Sequence, residues 1–159
     1  MGILKFFFAI FLSFIPGLLG LMISPIASGK NSWYGNINHS VLTPAGWVFS
    51  AVWTILYFLI GVALFLIIQK QGIANRRYIT TAYVLFGINL ILNASWSFVF
   101  FGAHSPEYAI FVLFALIIIA IFMARAFFRI SPAAFWLTVP YIVWLMFAFY
   151  LNGVIIYLN

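Results

Sequence analysis

Five runs of apolar residues dominate this chain, and each is long enough to cross the hydrocarbon core of a bilayer. A helix needs about 20 residues for that crossing. The runs extend over Ile3 to Ile23, Ala45 to Ile68, Tyr78 to Phe101, Tyr108 to Phe128 and Ala133 to Leu158. Inside lipid every backbone N–H and C=O must find its partner within the protein, so only helices and closed barrels can span. The alternating pattern of barrel strands, roughly ten residues each, is missing. The expected fold class is therefore all-α, an integral membrane bundle of five transmembrane helices. A single domain over residues 1–159 accounts for the chain. Only 5% of residues are charged, against about a quarter in a soluble domain. The first run is longer than the apolar core of a signal peptide and no Ala-x-Ala site follows it. It is expected to stay as a span.

Absent residue types remove several function classes. There is no cysteine, hence no disulfide, thiolate metal site or cysteine nucleophile. Glu107 is the only acid, so neither paired-carboxylate nor Ser–His–Asp chemistry fits within one chain. No Asp, Glu, Lys or His sits at the centre of a span, where proton relays and charge-gated channels place them. His39 and His104 fall in loops on the same side. Solvated loop residues are the simpler reading; the alternative is a pair that meets to hold a metal or haem. No metal site is assigned. The net charge of +6 does not point to nucleic acid, because the basic residues cluster at span ends. With five spans, Lys5, Lys70, Arg76, Arg77, Arg125 and Arg129 share one side and only Lys30 lies on the other. That bias predicts a cytoplasmic N-terminus and a bilayer as the first partner.

Three of the four connections are short, and one is long: Ser24 to Pro44. It carries Gly29, Lys30, Asn31, Ser32, Trp33, Tyr34, Asn38 and His39. A polar loop with a Trp-Tyr pair is either a lid over a pocket or an aromatic anchor at the membrane surface. Both readings stand.

Polar residues inside the spans mark where an interior should be. Asn89, Asn93, Trp96 and Phe100 recur at spacings of four, three and four, so one face of the third span carries them. They either hold the bundle together or form the polar wall of a pocket. Trp53 and Tyr57 share a face of the second span. Tyr141, Trp144, Ala148, Leu151 and Ile155 form a face of the fifth. Mid-span tryptophan is unusual, since indoles favour the interface, and a buried indole N–H wants an acceptor. Pro140, Trp144 and Asn152 are expected to face inward. Ala120 and Ala124 make a small-xxx-small pair too common to define an interface. No internal repeat supports an inverted-repeat transporter.

Taken in order, these residues resemble the TspO/MBR family, the translocator proteins or tryptophan-rich sensory proteins. The match runs from about Trp33 to Asn159. Trp33-Tyr34 is similar to the start of the first-loop motif, which continues through Thr43-Pro44, Phe49, Val52-Trp53-Thr54 and Leu56-Tyr57. Leu92-Asn93, Trp96 and Phe100-Phe101-Gly102 resemble the third-span motif. Pro140-Tyr141, Trp144, Phe147-Ala148, Leu151-Asn152 and Leu158-Asn159 resemble the fifth. Where the family often has Lys-Pro this chain has His39-Ser40, and Leu42 and Ala45 replace a common Trp and a second Pro. A looser loop and no basic contact for a ligand carboxylate are expected from those departures. Val154 and Tyr157 lack the following basic residue of the animal cholesterol motif.

The resemblance implies a five-helix bundle, often a homodimer, with a pocket beneath the first loop. It implies a receptor or sensor in a bacterial cytoplasmic membrane that binds tetrapyrroles, such as protoporphyrin IX or haem, and isoquinoline-carboxamide drugs. No obligatory cofactor is implied. Binding residues carried over or placed on pocket faces are Trp33, Tyr34, Trp53, Tyr57, Asn89, Asn93, Trp96, Trp144, Phe147, Ala148 and Leu151. Some bacterial members are reported to degrade protoporphyrin under light, and Trp53 and Trp144 match the tryptophans associated with that reaction. A light-dependent porphyrin-degrading enzyme is the alternative function. A transporter of small lipophiles is the second alternative.

Overall fold

A computed structural model describes residues 2–27 and 33–159, with side chains for all of these except 24–27. Lys30, the lone basic residue expected on the opposite side, lies outside the described residues, as do Gly29, Asn31 and Ser32. The described chain forms six α-helices: α1 (Gly2–Ala27), α2 (Trp33–Asn36), α3 (Gly46–Gln69), α4 (Arg76–Ser97), α5 (Pro106–Phe128) and α6 (Pro132–Leu158). Five of them are long and apolar enough to cross a membrane, α4 doing so together with the π-helical turn that follows it. No strand occurs among the described residues, and the expected all-α membrane bundle is what the chain forms.

The long helices close into a ring. α1 packs on α3, α3 on α6, α6 on α5, α5 on α4, and α4 back on α1. Small residues set how closely α1 can approach. Ala9 and Ser13 are fully buried on its inner face. A Cβ at Gly61 of α3 would lie 2.7 Å from Ser13 Oγ and 3.0 Å from the Ile10 Cα. A Cβ at Gly17 would lie 2.6 Å from the Tyr57 ring. In lipid no hydrophobic effect drives helices together, so such close approach supplies the dispersion contact instead.

Helix ends follow local rules. Pro106 and Pro132 open α5 and α6 near the first helical position, where a missing N–H costs nothing. Asn75 caps α4 by accepting from Arg77 N at 2.9 Å. Gly72, at φ +90°, makes the turn between α3 and α4. α4 ends in a π-helical turn, Phe98–Gly102, with Ala103 N donating to Phe98 O at 2.8 Å. The widened turn lets adjacent Phe100 and Phe101 both touch the Trp96 ring, with centroids 5.2 and 6.0 Å away.

One expectation about faces changes. Pro140 is exposed on the outer surface of α6, while Asn152 is buried and Trp144 half-buried. Proline's ring is apolar and carries no donor, so lipid accepts it without penalty and nothing draws it inward. Ala120 and Ala124 are buried within the monomer against its own core, so they are not free to pair with a second copy.

The candidate ligand pocket

A chain of hydrogen bonds crosses the middle of the ring. Tyr57 donates its hydroxyl to Asn93 Oδ1 at 2.8 Å. Asn93 Nδ2 donates to the Tyr141 hydroxyl at 2.9 Å, which donates in turn to Asn89 Oδ1 at 3.2 Å. Asn89 Nδ2 is buried with no protein partner. Three helices, α3, α4 and α6, are joined through four side chains. The face of α4 that carries Asn89, Asn93, Trp96 and Phe100 is thus buried, and its two asparagines do structural work. A fifth polar residue extends the pattern: Asn152 accepts from Trp96 Nε1 at 3.4 Å and donates to the Pro106 carbonyl at 2.9 Å.

Above this layer, toward the long connection, lies a cavity of about 450 Å³. Its walls are Tyr34, His39, Thr43, Pro44, Phe49, Ser50, Trp96, Phe100, Phe101, Ala148, Leu151 and Asn152, with Gly46 and Ile155. A second cavity of about 210 Å³ opens between α1, α3 and α4, with Trp53, Tyr57, Asn93 and Trp96 among its walls. Phe49, Ser50, Trp96 and Phe101 line both, so the two spaces adjoin across these four side chains.

The long connection covers the larger cavity. The Trp33 ring meets Phe100 at 5.8 Å and stacks on His104 at 4.9 Å, with the planes 17° apart. His104 takes a left-handed backbone, φ 52°, as the chain leaves the π-helical turn. Tyr34 rests on Phe100 and Phe101, and burial pushes its phenol pKa up, so it stays neutral. The far end of the connection is tied to the end of α6. Asn38 N donates to Asn159 Oδ1 at 2.8 Å, and Asn159 Nδ2 donates back to Asn38 O at 3.1 Å. The departure at His39 is put to use, because its Nε2 donates to the Tyr34 carbonyl at 2.8 Å. His39 packs on Tyr34 and His104 on Trp33, so each histidine serves a different ring of the pair. No cluster of three metal-ligating side chains exists among the described residues.

The remaining expected residues take distinct places. Trp53 lies 5.2 Å from the Tyr57 ring and 6.2 Å from Tyr141. Trp144 is on neither cavity's wall; it stands against Phe49 at 5.6 Å, and Phe49 is 6.2 Å from Trp53. One phenylalanine therefore links the two tryptophans. The Trp144 indole N–H is buried without a partner. Ala148 and Leu151 line the larger cavity. Phe147 packs on Trp144 and Tyr150 away from both spaces. Sequence reasoning had Thr43 and Phe49 only as motif residues, without a place at the pocket, and passed over Ser50 and the α1 wall of Phe14, Gly17 and Leu21. Gly17 had a readable signal, a glycine within an apolar span. That Tyr57 is the ring it accommodates had none.

Comparison with known proteins agrees with this architecture. The model of the TspO/MBR family matches residues 9–158. The tryptophan-rich protein TspO of Chlorobaculum tepidum is 38% identical over 129 residues, covering 80% of each chain. That of Archaeoglobus fulgidus is 31% identical over 159 residues, covering 100% of this chain and 99% of its own. The translocator protein of Sus scrofa is 30% identical over 145 residues, covering 91% of this chain and 85% of its own. With the motif-bearing helices arranged around one covered cavity and the family match running through all five spans, the chain belongs to the TspO/MBR family.

Proposed function

We propose that this protein is a membrane receptor or sensor that binds a tetrapyrrole, protoporphyrin IX or haem, in the cavity beneath the Trp33–Tyr34 cover, and that the same cavity takes isoquinoline-carboxamide ligands. One observation carries the reading. The cavity has an aromatic floor, and two residues of its rim, His39 and Thr43, hold buried polar atoms with no protein partner, Nδ1 and Oγ1. An unmade buried hydrogen bond costs about 1–3 kcal/mol. A ligand with a flat apolar body and a polar edge would relieve that cost. Membership of the family supports the sensory role. The Thr43 hydroxyl can donate to such an edge, while His39 Nδ1, with its proton on Nε2, can accept from one.

The test is a protoporphyrin titration of purified protein, in darkness and then under light with product analysis. Trp53→Phe should weaken binding by about 0.5–1.5 kcal/mol through loss of one donor. Thr43→Val should weaken it by a similar amount, because it removes the unpartnered hydroxyl that the cavity rim offers a ligand. Parent-like binding of protoporphyrin and an isoquinoline carboxamide by both variants would defeat the assignment. Unmodified porphyrin after illumination favours the sensor over the enzyme.

The same reading places the basic ends of the spans in the cytoplasm of a bacterial cell and pairs the chain as a homodimer, the latter on family grounds alone. Cysteine introduced at Arg76, an exposed position, should resist an impermeant maleimide added outside intact cells. Efficient external labelling reverses the orientation.

A further inference from the structure

At the end of the bundle opposite the cover, three arginines converge on one depression. Arg77 comes from the first turn of α4, Arg125 from the last turn of α5, and Arg129 from the residue that caps α5. They border a space of about 600 Å³ together with Asn75 and Tyr78. The Arg129 guanidinium is held over the Tyr78 ring, 5.2 Å from its centroid. Nothing in the chain neutralises them. The only acid, Glu107, is in the first turn of the same helix that ends in Arg125, which puts it roughly 27 Å away along the axis. The arrangement is also wrong for α4 alone. Arg76 and Arg77 sit at the helix N-terminus with no acid in that turn, where the dipole favours an anion and disfavours a cation. An external anion would satisfy both the helix end and the guanidinium groups.

What kind of anion follows from the surroundings. Arg125 and Arg129 also border a second, apolar depression of about 730 Å³, walled by Phe128, Phe135 and Ile142. The charged mouth therefore sits at the end of two membrane-crossing helices and opens onto a lipid-facing groove. We propose that this is a binding site for one anionic phospholipid. Its phosphate is gripped by Arg77, Arg125 and Arg129, and an acyl chain lies along the groove. Guanidinium suits a phosphate better than ammonium does, because its planar fork gives two parallel hydrogen bonds. The site is separate from the covered cavity and independent of what that cavity binds.

Native mass spectrometry of the purified protein with added phosphatidylglycerol reads this directly. The parent should retain one phosphatidylglycerol in preference to phosphatidylcholine of the same acyl chains. The pair Arg125→Gln and Arg129→Gln should lower that retention about tenfold or more. The charge-matched pair Lys5→Gln and Lys70→Gln, on the same side but outside the depression, should leave it near the parent value. If the glutamine pair does not fold, Arg125→Lys with Arg129→Lys keeps the charge, loses the fork, and should still weaken retention severalfold. Equal loss in the lysine-to-glutamine control would reduce the effect to general surface charge and overturn the site. So would equal retention of phosphatidylcholine. Displacement of the lipid by millimolar inorganic phosphate would make it a free-anion site instead, and the lipid assignment would fall.

Discussion

Gly61→Leu should cost about 3 kcal/mol of stability, measured as a shift in the midpoint of unfolding in mixed micelles. The space for a side chain is absent. Even a methyl group there would stand 2.7 Å from Ser13 Oγ and from Ile10 Cδ1, and 3.0 Å from the Ile10 Cα. The Ile10 side chain can turn away, but the backbone atom moves only if α1 moves. α1 is also the helix with the least to hold it, since much of its surface faces outward. Displacing it would open the smaller cavity, whose wall it forms through Phe14, Gly17 and Leu21. Gly87→Ala supplies the opposite sign. Nothing lies within 4 Å of a Cβ at that position, and alanine is favoured over glycine in a helix by about 1 kcal/mol. If both variants unfold at the parent's midpoint, close α1–α3 packing is not what holds the ring together.

The second large effect is at Asn93. Asn93→Leu removes the acceptor of the Tyr57 hydroxyl and the donor to Tyr141 in one step. Tyr141 still donates to Asn89 Oδ1, but the buried Tyr57 hydroxyl is left without its acceptor. Hydrogen bonds inside membranes average about 0.6 kcal/mol, but stranding a buried partner costs more, about 1–3 kcal/mol. A loss of about 2 kcal/mol is expected. Adding Tyr57→Phe to Asn93→Leu should recover part of it, because the stranded hydroxyl is gone. A double variant no more stable than the single would show that Tyr57 finds another acceptor. Its ring already borders the smaller cavity, so a bound ligand is the obvious alternative, and the same pair of variants measured with and without protoporphyrin separates the two.

Much of this architecture could be read from the residues. Five long apolar runs can satisfy their backbone in lipid only as helices, so the fold class needed no tertiary information. Helical spacing put Asn89, Asn93, Trp96 and Phe100 on one face, because the period is a property of the helix alone. Which helix that face meets is different. Asn89 and Asn93 join α6 through Tyr141, and no spacing within one span encodes a partner on another. The same limit explains Pro140 and Trp144. A face can be drawn from the sequence, but its rotation toward lipid or interior is set by the neighbours it packs on. Pro140 turned outward, and Trp144 stopped behind Phe49. The widened turn at Phe98–Gly102 has no signature in composition, yet it sets two adjacent rings against Trp96. Charge tells the same story at the other end. The sequence alone determined that six of the seven basic residues share one side of the five crossings, since the order of the spans leaves no other placement. Only the tertiary structure decided that three of them meet around one depression, because Arg77 and Arg129 are distant in the chain and are brought together by the packing of α4 on α5.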